Sequence, residues 1–125
     1  MVNKKIGNKC EQELGRILQF KGYWCHILEY NKNGQPCDVV AINGDKAFLI
    51  DVKHCEKDYF VFSRIEANQK SCFEYAKSVC GVKNVGFAIY FESDNKFYWL
   101  PFEKTKNQVR NRVLKSSLIE FEIIL

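Results

Sequence analysis

The stretch from Asp38 to Lys53 constrains this chain more than any other segment. Two apolar runs, Asp38–Ile42 and Lys46–Lys53, flank Asn43-Gly44-Asp45, and Asn-Gly between apolar runs is the strongest short signal for a β-hairpin. Within the second run, Ala47-Phe48-Leu49-Ile50 is apolar without alternation, as a strand covered on both faces is. Charge then returns as Asp51-Val52-Lys53. Residues at i and i+2 of a strand project from one face, so Asp51 and Lys53 share a face. Charges at the end of a buried strand are costly unless paired or bound to an ion. The partner strand opens with a third charge, Asp38.

Hairpin register decides whether the two aspartates meet. A two-residue loop Asn43-Gly44 sets Asp38 diagonal to Asp51, and a loop Gly44-Asp45 sets it directly opposite. Both registers put the carboxylates on one face, roughly 5 to 8 Å apart. A three-residue loop without a bulge would turn them to opposite faces. Two carboxylates that close repel by about 1 kcal/mol or more, and a divalent cation reverses the sign. Oxygen-only donors point to Mg2+, or Mn2+, rather than zinc. Lys53 has two readings. It neutralises Asp51, or it positions an attacking water and stabilises charge on a phosphoryl oxygen during hydrolysis.

Around this hairpin the pattern alternates helices and strands. Gly7 to Lys21 reads as a helix, with Ile6, Cys10, Leu14, Ile17 and Leu18 on one stripe and Gly22 as its stop. Glu11 borders that stripe near Leu14 and Leu18; Glu13 borders the other side near Ile17 and Phe20. Periodicity does not choose between them. Tyr23–Tyr30 reads as a strand and Asn31–Gln35 as a loop. His54 to Phe62 reads as irregular. Ser63-Arg64-Ile65-Glu66 has the form of a capping box, opening a helix to about Cys80 with Ile65, Cys72, Phe73, Ala76, Val79 and Cys80 inward. Gln69 shares that stripe, which points its amide towards the core side. Val85–Phe91 and Phe97–Leu100 read as strands split by the turn Glu92–Lys96. A short helix is expected within Phe102–Ser116 and a last strand at Leu118–Leu125. The order αβββαββ, with mixed strands and flanking helices, is an α/β sandwich.

The length, 125 residues, suits one domain over residues 1–125. The longest apolar runs are far too short to span a bilayer, and no apolar segment follows Met1-Val2-Asn3-Lys4-Lys5, so a cytoplasmic protein is expected. The formal charge of +4 is compatible with a polyanionic partner without establishing one. Six cysteines show no C-x-x-C pair, against a zinc site. They read as core thiols.

Gly7-x-x-x-Glu11, Pro36-Cys37-Asp38 and Asp51-Val52-Lys53, in that order, resemble the PD-(D/E)XK nucleases, nearest the Holliday-junction resolvases of the archaeal Hjc and bacterial RecU types. Ser63–Gln69, Gly86–Phe91 and Phe97–Pro101 resemble the helix and strand pair that follow the RecU-type catalytic strand. The resemblance implies a restriction-endonuclease-like αβββαβ core, a mixed central sheet flanked by helices. It also implies a magnesium-dependent endonuclease that hydrolyses phosphodiester bonds in four-way or other branched DNA and works as a homodimer, with no membrane partner. Carried over by residue, it implies that Asp38 and Asp51 ligate the metal, that Val52 adds its carbonyl, and that Glu11, favoured over Glu13 by the motif, completes the acidic set. Lys53 would assist the water, and Gln69 would contact the water or phosphate, against the plainer reading of a buried amide bonded to backbone. One departure stands out. Asn31 to Cys37 is short where RecU-type enzymes carry a projecting stalk. A nuclease for flapped, nicked or duplex DNA, and a DNA-binding module without turnover, remain open alternatives.

Overall fold

A computed structural model describes residues 4–29, 37–106 and 110–125. In chain order the elements are α1 (Lys4–Phe20), β1 (Trp24–Ile27), β2 (Val39–Asn43), β3 (Lys46–Cys55), β4 (Tyr59–Val61), α2 (Ala67–Ser78), β5 (Asn84–Phe91), β6 (Lys96–Pro101), β7 (Arg112–Leu114), β8 (Ile119–Glu120) and α3 (Phe121–Ile124). One six-stranded sheet runs β1-β2-β3-β5-β6-β8, and β4 pairs separately with β7. β3 and β5 are parallel, while the other neighbours in the large sheet are antiparallel. This is the expected mixed sheet with helices on both sides. No described helix is long and apolar enough to cross a membrane.

The sheet separates two apolar clusters, and strand alternation sorts residues between them. On the α1 side, Leu14 and Leu18 are fully buried and Cys10 nearly so, against Val39, Ala41, Phe48 and Ile50. Each of those leucines contributes roughly 2 kcal/mol by leaving water. Phe48 anchors this side, with Tyr23, Trp99 and Phe121 rings 5.6–5.8 Å away. On the other side, Phe73 and Ala76 of α2 pack into a cluster with Phe60, Phe87 and Phe102. The Phe73 ring meets Phe87 and Phe102 edge-on at 5.5 and 5.7 Å.

Several sequence expectations need correction. His54 to Phe62 is not irregular: β3 continues to Cys55 because β5 keeps pairing with it through Cys55↔Phe91, and Tyr59–Val61 is a strand held by β7. The aromatic run there is mostly internal, with Phe60 fully buried beside Phe87. The second helix starts later than Ser63. Its N-cap is Glu66 and its capping box pairs Glu66 with Gln69, while Ser63 lies in a single 3-10 turn, Phe62–Arg64. At its other end the helix stops at Ser78 with Val79 as C-cap, so Val79 and Cys80 fall outside the inward stripe and are exposed, Val79 at 66%. The C-terminal strand is two residues long because Phe121 turns in to stack on Trp99 at 5.2 Å, which starts α3 and leaves Ile119 and Ile123 exposed. All six cysteines are free thiols; Cys10, Cys37 and Cys55 are buried, but Cys80 is exposed. Asn31–Gln35 and Pro36 lie outside the described residues, as does the side chain of Ile6.

Gly86 shows how tightly the sheet is closed beside β6. A Cβ there would lie 2.3 Å from the Leu100 carbonyl oxygen and 3.1 Å from Pro101 Cα and Phe102 N. All three are backbone atoms, which cannot rotate away as a side chain could. Gly86→Ala is therefore expected to destabilise the protein by at least about 2 kcal/mol, read from urea unfolding. A midpoint equal to wild type would mean that the β5–β6 spacing is looser than the geometry requires.

Candidate active site

The β2–β3 loop is Gly44-Asp45, with Asn43 facing Lys46 and Val39 facing Ile50. Gly44 takes a positive φ of 55°, the turn conformation that glycine adopts without strain. Of the two registers open to the sequence, this is the one that brings Asp38 opposite Asp51. The Asp38 backbone N–H donates to the Ile50 carbonyl at 2.9 Å, and Asp38 Oδ2 accepts the Val52 N–H at 2.7 Å.

Asp51 is 1% exposed, and its two oxygens differ sharply. Oδ1 accepts from Gln69 Nε2 of α2 at 2.7 Å. Oδ2 is buried without a hydrogen bond and faces the Lys53 ammonium at 3.1 Å. Gln69 is itself buried, and its Oε1 accepts the Glu66 N–H at 3.1 Å. Its amide is thus engaged at both ends by protein groups. The capping-box spacing Glu66-x-x-Gln69 is the sequence signal for this arrangement, and it lies three residues after the similar Ser63-x-x-Glu66.

α1 brings Glu11 to the same place. Burial, and next the Asp38 carboxyl beside it, push Glu11 up from the ordinary 4.5 to about 7. Asp51 is raised well above the usual carboxylate range, first by burial; Asp38 adds to the shift and Lys53 opposes it. The two candidates on α1 now separate, because Glu13 lies on the exposed flank and pairs with Arg16 at 2.6 Å. His54 belongs to a strand and not to the irregular stretch expected from it onward. It lies in β3, 14% exposed at its side chain and stacked on Tyr90 at 5.7 Å. His26 is exposed on β1 and stacks on Trp24.

Glu11, Asp38 and Asp51, with the Val52 carbonyl between Asp51 and Lys53, form a set of hard oxygen donors. No three His, Cys, Asp or Glu side chains among the described residues are already spaced as a metal-holding group. Asp51 Oδ2 meets only the Lys53 ammonium and has no geometrically formed hydrogen bond, which leaves it lone-pair capacity for a cation. Oxygen donors of this kind suit magnesium or manganese better than zinc.

A six-stranded mixed sheet with a helix packed on each side carries this site. No protein-family model matches the chain, nor does any curated protein. Among solved structures, the fold is similar to Archaeoglobus fulgidus Hjc, a Holliday junction resolvase from an archaeal hyperthermophile. The match has a TM-score of 0.75 at 18% identity and covers 94% of this chain and 98% of that one. At that identity the likeness establishes the fold.

Crowded carboxyls make the metal-free protein sensitive to pH in a definite direction. Glu11 binds its proton more tightly folded than unfolded, so between pH about 4.5 and about 7 the native state holds more protons. Stability therefore falls as pH rises through that window, and Asp51 acts in the same direction. In chelator-treated protein the melting temperature should drop across this range, with a shallower drop in Glu11→Gln. Identical slopes in the two proteins would show that Glu11 is not held beside Asp38.

Proposed function

We propose that this protein is a divalent-metal-dependent DNA endonuclease, a single nuclease domain over residues 1–125, that acts on four-way junctions. The observation that supports this most directly is the convergence of Glu11, Asp38, Asp51 and Lys53 at the end of a buried hairpin, in a fold similar to that of a junction resolvase. Asp38, Asp51, the Val52 carbonyl and Glu11 would hold Mg2+ or Mn2+, which supplies Lewis-acid activation of water and offsets charge on the phosphate.

The chain's own residues do the rest. Lys53, 13% exposed at its side chain and 3.1 Å from Asp51, is poised between the carboxylates and the position a phosphate would take. Its ammonium orients the attacking water and stabilises the charge that develops on a phosphoryl oxygen. Hjc-like architecture favours branched DNA as substrate, and symmetric resolution of a junction needs two active sites, so a homodimer follows. Light scattering at micromolar concentration, with and without junction DNA, is expected to give a dimer; a strict monomer would favour a flap or nick endonuclease.

Lys53→Ala and Asp51→Asn should each lower four-way-junction cleavage by at least ~100-fold. Junction affinity should change little, since it comes mainly from phosphate contacts elsewhere. The assay compares four-way junction, flap and linear duplex in magnesium, with gel-shift binding alongside. Undiminished cleavage by either variant would place the active site elsewhere. Wild-type binding without cleavage of any substrate would make the protein a binding module.

A further inference from the structure

Among the described residues only Asp51 and Gln69 are both polar and buried, and they are bonded to each other. The Gln69 amide has no freedom to flip. Its Oε1 must face the Glu66 N–H, a donor only, and its Nε2 must then face Asp51 Oδ1. Asp51 Oδ2 is left as the oxygen directed to the site.

We propose that Gln69 is a positioning residue that confines Asp51 to ligation through Oδ2 alone, so that the site selects a small six-coordinate dication over calcium. This rests on the metal-dependent reading given above. Calcium takes six to eight oxygens at about 2.3–2.6 Å and readily uses both oxygens of a carboxylate; magnesium demands near-octahedral geometry at about 2.0–2.1 Å. For Asp51 to chelate with both oxygens, its carboxylate would have to turn Oδ1 away from α2 towards the site, against the 2.7 Å bond from the buried Gln69 Nε2. Moving the amide along with it would strip the Glu66 N–H of its acceptor at the start of α2. Asp38 is restrained in a similar way, because Oδ2 is held by the Val52 N–H.

The test is calorimetric titration of the metal-free protein with MgCl2, MnCl2 and CaCl2, needing no cleavage. Wild type should bind Mn2+ at least about tenfold more tightly than Ca2+, and Gln69→Met, which removes the amide but keeps the bulk, should narrow that ratio about tenfold. Gln69→Leu likewise removes the donor to Asp51 with a side chain of similar size, so it should narrow the ratio in the same way. It also carries the test if Gln69→Met does not fold, which a thermal melt reports. A purely structural role would weaken all three ions alike. An unchanged Ca2+ to Mn2+ ratio in a folded variant overturns the proposal alone, whereas wild type that binds none of the ions overturns the metal reading with it.

Discussion

Closure of the β2–β3 hairpin through Gly44 and Asp45 sets which face of the sheet every residue from Asp38 to Lys53 presents. Strand side chains alternate, so a one-residue slip would exchange the two faces entirely. Val39, Ala41, Phe48 and Ile50 must be covered by α1, which fixes the register by apolar burial before any charge is considered. Asp51 is then turned to the opposite face, where α2 supplies Gln69. The same constraint that builds the core thus assembles the charged end, and no separate feature has to bring the aspartates together.

The hairpin, both long helices and the paired strands β5 and β6 were legible because each carries a periodicity that burial enforces. Leu14 and Leu18 at helical spacing, and Val85 to Phe91 as an apolar run, leave little alternative. What was not legible depends on partners distant in sequence. β3 reaches Cys55 only because β5 lies beside it, and β4 is a strand only because Arg112–Leu114 returns to pair with it. Phe121 reads as one tooth of an alternating strand until Trp99 is placed beneath it. At the site, spacing showed that Asp51 and Lys53 share a face, and it allowed Asp38 to join them. It could not separate Glu11 from Glu13, because both border the same stripe; only the position of α1 against the sheet does that.

Gln69 is the most instructive of these cases. Sequence placed its amide inward and left two roles open, backbone satisfaction or contact with a reacting group. The structure gives it one backbone partner and one carboxylate. A single side chain therefore links the first turn of α2 to the middle of β3, and helix start and site geometry become one mechanical unit.

The charge balance at the site is incomplete by design of its own packing. Glu11, Asp38 and Asp51 are three carboxyls and Lys53 is one ammonium, which leaves two negative charges if all are ionised. The protein alone can relieve that imbalance only by keeping protons, which is what the raised Glu11 and Asp51 express. A dication of matching charge, as proposed above, would relieve it without protonation. Under that metal-dependent reading, protons and a divalent ion would compete for one set of oxygens. The hairpin and the two helices hold those oxygens together at a cost in stability that a purely structural strand end would have no reason to bear.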